Sequence, residues 1–348
     1  MKPMEIKACS DLFDGKVVWM IHGGNVWQGE APRDWLDFSA NLRPEGPPAW
    51  VNEVMREAAE NARYYPDISM RGARAGMAAY LGMDAASVLP TAGGTGAIDL
   101  LCKASRGRVL TETVTFGEYA RCAKAHGRQA VQGNMRDIRA GDQAFLCNPN
   151  NPTGSVQSGP DVLALAERLH RAGGTLIVDE AFMDFCPAYS VRMEAAGRKG
   201  LLVVGSLTKT LCIPGIRLGY IAGRADAIAA LEKTQTPWAL NCFAAAIAKA
   251  LPRHTAEMQA DCERNAKRRE QLAKALRALG AGVYPSAANF LLADFHRSMR
   301  EAVRLLAQAG TLVRDCESFG LSDSHLRFAV KTAEENETLI KQLGRALA

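Results

Sequence analysis

The sequence contains no Cys-x-x-Cys pair, no metal-ligand pairing among its six histidines, and no apolar stretch long enough to cross a bilayer. Its nine cysteines are scattered, at Cys9, Cys102, Cys122, Cys147, Cys186, Cys212, Cys242, Cys262 and Cys316. An odd count without close spacing argues against a disulfide framework or a zinc site, and for a reducing compartment. Several lie in apolar runs, where a thiol behaves as a small buried hydrophobe. No metal is expected. The opening residues, Met1-Lys-Pro-Met-Glu-Ile-Lys7, carry no signal-peptide apolar core, so a cytoplasmic protein without a membrane partner is expected. No basic run is interleaved with aromatics, so nucleic acid is not indicated as a partner. Internal repeats and low-complexity segments are also missing.

At 348 residues the chain is long enough to bury a large core, and a division into two lobes is expected. Its hydrophobic fraction of 48% and charged fraction of 23% are ordinary for a soluble globular protein. The net charge of +5 is modest for this length and is compatible with an anionic, phosphorylated substrate.

The stretch that organises the chain is Ser206-Leu-Thr-Lys-Thr-Leu-Cys-Ile-Pro-Gly-Ile-Arg-Leu-Gly-Tyr220. It follows the apolar run Leu201–Gly205, which reads as a buried strand. Lys209 therefore sits just past a strand end, where open parallel sheets place ligand chemistry. Desolvation and a cationic neighbour, such as Arg217, lower a lysine's pKa and expose its lone pair for Schiff-base formation. Two further strand ends precede it in the chain. Ala144–Cys147 runs into Asn148-Pro-Asn-Asn-Pro-Thr-Gly154, and Thr175–Val178 runs into Asp179-Glu-Ala-Phe182. Residues 161–173 between them show helical periodicity with a closing glycine, so this helix crosses over between parallel strands. Taken singly, Asn-Pro-Thr-Gly is a turn, Asp-Glu-Ala a helix start, and a lysine among hydroxyl residues a solvated charge.

An asparagine, an aspartate and a lysine on successive strand ends resemble the fold type I pyridoxal-phosphate (PLP) enzymes of the aspartate-aminotransferase superfamily. The resemblance spans nearly the whole chain. It implies an α/β fold: a large domain with a mostly parallel seven-stranded sheet between helices, and a smaller α+β domain. The corresponding division is an N-terminal arm over 1–45, a PLP-binding domain over 46–241 and a C-terminal domain over 242–348. It also implies PLP as cofactor, with Lys209 bonded to the aldehyde, Asn151 donating to the ring phenolate and Asp179 keeping the ring nitrogen protonated. Leu89-Pro-Thr-Ala-Gly-Gly-Thr-Gly96 opens a helix whose free N–H groups suit a phosphate, so Gly94 and Thr95 are the expected cradle. Ser206, Thr208 and Arg217 would join them, and Phe116 would stack on the ring. The tyrosine of the Tyr-Pro motif, Tyr65, would reach the phosphate of a partner subunit, which implies a homodimer.

Ile21-His-Gly-Gly-Asn25 and Asp37-Phe-Ser-Ala-Asn41 narrow the resemblance to the threonine-phosphate decarboxylases of the cobalamin pathway, relatives of the histidinol-phosphate aminotransferases. Thr236-Pro-Trp-Ala-Leu-Asn241 fits the same pattern. So does Phe182, where the aminotransferases usually carry a tyrosine. By this resemblance His22, Gly23, Ser39 and Asn41 line the substrate pocket. Arg327 grips the α-carboxylate, a task suited to a bidentate guanidinium, and Arg314 is a further pocket candidate. The chain departs from the pattern at Arg43, at Gly94-Thr-Gly96 and at Thr113-Val-Thr115. Arg43 is an added phosphate clamp or a rim charge. The implied activity is decarboxylation of L-threonine O-3-phosphate or of L-serine O-phosphate. These substrates differ by one methyl, a discrimination worth roughly 1–3 kcal/mol. An aminotransferase acting on a substrate such as histidinol phosphate is the alternative. A PLP-fold regulator is disfavoured because no DNA-binding domain is attached.

Overall fold

The computed structural model describes residues 22–28, 31–32 and 34–348. Residues 1–21 of the arm expected over 1–45 lie outside them.

The large sheet has seven strands, in the order Val88–Thr91, Gly219–Gly223, Leu201–Ser206, Thr175–Asp179, Gln143–Cys147, Val109–Thr111, Ala130–Gln132. Five neighbouring strands pair in parallel, and Gly219–Gly223 runs antiparallel to both of its neighbours. The central strands are buried along their whole length, which is why they read as unbroken apolar runs rather than alternating ones. The crossover helix spans Gly159–Arg171, two residues earlier than its periodicity suggested. Its start is fixed by Ser158, whose hydroxyl accepts from the Asp161 N–H, and Val162, Ala166 and Leu169 form its buried stripe. The register aligns Cys147 with Asp179, so the asparagine turn and the aspartate emerge side by side at one edge of the sheet.

A second apolar core lies around a four-stranded antiparallel sheet, in the order Gly282–Val283, Phe290–Asp294, His325–Ala329, Arg314–Asp315. Helices Thr255–Ala278, Arg300–Gln308 and Ala333–Leu347 pack against it, the last opened by a Thr332–Glu335 capping box. The N-terminal segment is part of this second core. Leu36–Asp37 pairs in parallel with Thr311–Leu312, Phe38 is fully buried among its side chains, and the Ala329 N–H donates to the Phe38 carbonyl at 2.9 Å. Residues just after Phe38 are thereby held across the gap between the two cores.

No helix among the described residues is long and apolar enough to cross a membrane.

The return strand approaches the Gly93 turn very closely. A Cβ on Gly219 would stand 2.6 Å from the Gly93 carbonyl carbon and 2.8 Å from the Gly94 nitrogen. Both are backbone atoms of the turn that opens helix Gly93–Lys103, so neither can give way cheaply. Gly219→Ala is therefore expected to lower stability by about 1–3 kcal/mol, read as a fall in the urea midpoint. An unchanged midpoint would contradict this packing.

Candidate active site

The asparagine turn is stitched down before it presents a side chain. The Asn148 N–H donates to the Asp179 carbonyl at 2.9 Å, and its carboxamide exchanges two hydrogen bonds with the Gln157 backbone. Asn150 accepts from the Thr115 hydroxyl and donates to the Val114 carbonyl and to Thr153. Asn151 is then left facing the cavity, where its carboxamide oxygen accepts from Arg327 Nη1. That bond fixes the orientation of the amide and leaves its NH₂ free to donate to a bound group.

Asp179 closes its strand fully buried. Tyr119 Oη donates to its Oδ2 at 2.6 Å and the Ala181 N–H to its Oδ1 at 3.0 Å. Burial pushes its carboxyl above the ordinary range, against the pull of these two bonds and of the Lys209 charge.

Lys209 sits in the turn between strands Leu201–Ser206 and Gly219–Gly223. The turn is anchored on both sides. The Thr210 hydroxyl donates to Asp184 at 2.8 Å, and the Arg43 N–H donates to the Lys209 carbonyl at 3.1 Å. Burial, then Arg327 and Arg217, bring the lysine's pKa down to about 8.

At the start of helix Gly93–Lys103, Gly93 has φ +73°, and a Cβ there would lie 2.7 Å from Arg217 Nη2. The guanidinium thus rests directly on the helix N-terminus. Arg217 itself is in the left-handed region, at φ 63°, a conformation that costs a non-glycine residue about 1–3 kcal/mol and clusters at functional sites. The Ser206 and Thr208 hydroxyls, 2.8 Å apart, complete the cradle. N–H groups, hydroxyls and a guanidinium around a helix terminus make an oxyanion site.

On the other side, Gly23 packs against the carbonyl of Ser39 with no room for a side chain. Ser39 Oγ accepts from the Gly24 N–H at 2.7 Å and donates to Asp37. His22 Nε2 lies 3.1 Å from the carboxylate of Glu118, which also accepts from Arg121. Burial raises the Glu118 carboxyl, but His22 and Arg121 outweigh it and hold it below the ordinary value. Arg327 and Arg314 are both buried. Arg327 Nη2 donates to the Ser39 carbonyl at 2.7 Å, Arg314 donates to Ser318 at 2.6 Å, and both guanidinium groups lie over the ring of Phe319. Two buried polar atoms on this side have no partner, Arg327 Nε and Asn41 Oδ1.

One cavity of about 420 Å³ takes in every site residue expected from the sequence except Tyr65. Tyr65 is 82% exposed and leans on Trp238, with ring centroids 4.7 Å apart, outside the cavity. Arg43 is neither a phosphate clamp nor a rim charge. Its side chain is mostly buried, donating to Asp261 at 2.6 Å and to the Gly46 carbonyl, and so ties the N-terminal segment to helix Thr255–Ala278. The sequence reading missed Glu118, Tyr119 and Phe319. The first two follow Phe116 by two and three residues. Phe116 lies two residues before helix Glu118–Ala125, so no shared helical face links it to Tyr119 and the spacing gave no signal. Phe319 carried none.

Parallel strand ends that bear an amide, a carboxylate and a desolvated lysine beside an oxyanion cradle define a cofactor-dependent enzyme of the aminotransferase type. The chain belongs to the aminotransferase class I and II family, which it matches over residues 33–343, and pyridoxal phosphate is its cofactor. It is 31% identical to the threonine-phosphate decarboxylase of Salmonella typhimurium, over 94% of this chain and 96% of that protein. Among solved structures it is similar to the histidinol-phosphate aminotransferase of Clostridium acetobutylicum (TM-score 0.82, 26% identity, 89% and 98% of the two chains). It is also similar to the L-threonine-O-3-phosphate decarboxylase of Porphyromonas gingivalis (TM-score 0.79, 26% identity, 88% and 98%).

The depressed Lys209 pKa has a kinetic consequence. Only the neutral amine adds to an aldehyde, and its fraction rises with pH, reaching half at about 8 rather than above 10 as for a free lysine. The rate at which cofactor-free protein takes up PLP should therefore rise with pH and reach half its plateau near pH 8. A half-rise above pH 10 would mean that the lysine is not buried among cations.

Proposed function

We propose that the protein is a PLP-dependent decarboxylase of a small phosphorylated amino acid. Its substrate is L-threonine O-3-phosphate, giving (R)-1-amino-2-propanol phosphate for the cobalamin nucleotide loop, or L-serine O-phosphate, giving ethanolamine phosphate.

The residues present fit the cofactor. Gly94, Thr95, Ser206, Thr208 and Arg217 would hold its phosphate, Asn151 its ring oxygen, Asp179 its ring nitrogen, Phe116 its ring face and Lys209 its aldehyde. When bound, PLP supplies an electron sink for the bond broken at the substrate Cα. The protein's part is to choose that bond. A decarboxylase must turn the carboxylate out of the ring plane, and an aminotransferase must turn the hydrogen out.

The observation that carries the reading is that the cavity offers polar groups in two separate sets besides the cofactor cradle, with the Glu118 carboxylate beside the second. Arg327, with its unpartnered Nε, and Arg314 form one set; His22 and the tightly folded Gly23–Ser39 backbone form the other. Two grips on a short substrate fix its rotation about Cα, and rotation decides which bond faces the sink. Phe182 supports the same reading, because it offers no hydroxyl to the ring oxygen. Once carbon dioxide has left, Lys209, which lines the cavity, would hand a proton to Cα. The exposed pair Tyr65 and Trp238 is the face on which a second copy would sit, with Tyr65 reaching the partner's cradle.

The likeness to a histidinol-phosphate aminotransferase gives the second reading. Incubating the PLP-loaded protein with L-threonine O-3-phosphate, and in parallel with L-serine O-phosphate, without any keto acid, separates the two. Carbon dioxide and the amino-alcohol phosphate in equal amounts are expected. No carbon dioxide, with the cofactor converted to its pyridoxamine form, or turnover of histidinol phosphate with 2-oxoglutarate, would overturn the proposal.

A further inference from the structure

Tyr119 does not line the cavity, yet its hydroxyl lies against Asp179. The side chain is fully buried. It stacks on Phe145 at 4.9 Å and meets Phe116 edge-on at 5.7 Å, so its ring cannot swing away. The sulfur of Cys147, level with Asp179 on the next strand, also borders the hydroxyl, but that thiol donates elsewhere, to the Pro149 carbonyl. A phenol carries one proton, and here it goes to Asp179 Oδ2 at 2.6 Å. Burial raises the phenol's own pKa well above its ordinary value, so it stays a donor at any working pH.

A fully buried carboxylate tends toward its neutral acid. Two hydrogen bonds and the lysine charge oppose that tendency at Asp179, and the Tyr119 bond is the shorter of the two. As a neutral acid, Asp179 would keep the proton and donate a hydrogen bond to an unprotonated ring nitrogen, instead of accepting one from a protonated ring nitrogen. We infer that Tyr119 is a positioning residue that keeps Asp179 ionised, and through Asp179 keeps the proton on the cofactor's ring nitrogen; the inference rests on the assignment of Asp179 to that nitrogen. Losing the hydroxyl moves the shared proton from the nitrogen to the carboxylate, with no other bond made or broken. The same ring supports Phe116 from behind, so one side chain backs two cofactor contacts.

The test uses holoenzyme loaded with PLP labelled with nitrogen-15 in the ring, whose resonance reports directly whether the nitrogen is protonated. Wild type is expected at the protonated position and Asp179→Asn at the unprotonated one. Tyr119→Phe, which keeps the ring, is expected between them. Para-aminophenylalanine at position 119, a weaker donor that fills the same space, is expected between wild type and Tyr119→Phe. It decides the matter alone if Tyr119→Phe fails to fold or load. Phe145→Leu, which loosens the stack but keeps the hydroxyl, is expected to lie closer to wild type than Tyr119→Phe does. A wild-type resonance in the folded, loaded position-119 variants, or an equal shift in Phe145→Leu, would overturn the inference. If Asp179→Asn itself stays at the wild-type position, the Asp179 assignment falls, and the inference with it.

Discussion

The site depends on burying a lysine among arginines. Lys209 lies under the influence of Arg327 and Arg217, with Asp179 as the principal counter-charge, where it lines the cavity. Burial shifts each group there away from its charged form. The lysine loses proton affinity, Arg327 falls to about 10, and Asp179 is pushed toward neutrality. Such a cluster is unfavourable unless the fold over-determines it, and the anchors around it do so. The Thr210–Asp184 bond and the Arg43 N–H hold the lysine turn, Gly219 seats the return strand on the Gly93 turn, and Tyr119 underlies Asp179. The excess positive charge is what a doubly anionic cofactor and a phosphorylated, carboxylated substrate would neutralise.

Arg327 shows how the two cores act as one site. Its strand belongs to the second sheet, while its side chain reaches Asn151 from the first and the Ser39 carbonyl from the N-terminal segment. Three of its nitrogens are buried and only two have partners, so the arginine is both a strut and an open donor. Arg43 is a strut alone. Its bond to Asp261 and its backbone contact with Lys209 place the N-terminal segment between the long helix and the lysine turn.

Much of this was legible in the sequence. The unbroken apolar runs before Asn148, Asp179 and Ser206 gave buried parallel strands, and the short motifs after them landed together at one edge of the sheet. Fixed spacing along a strand end survives folding, so such motifs carry their positions with them. Contacts between distant segments do not. The Glu118–His22 pairing joins residues 96 apart, and the Tyr119–Asp179 bond joins residues 60 apart. Arg43 was misread for the same reason. A basic residue beside a substrate motif looks like a ligand until a buried aspartate, 218 residues away, proves to be its partner.

The proposed decarboxylation requires the cavity to rotate the substrate so that the carboxylate, and not the hydrogen, faces the electron sink. The most direct measurement is a crystal structure of PLP-loaded Lys209→Ala with L-threonine O-3-phosphate bound. The account predicts the Cα–carboxylate bond perpendicular to the cofactor ring and the substrate phosphate against His22 and Gly23. A carboxylate lying in the ring plane, with the Cα–H bond perpendicular, would contradict it.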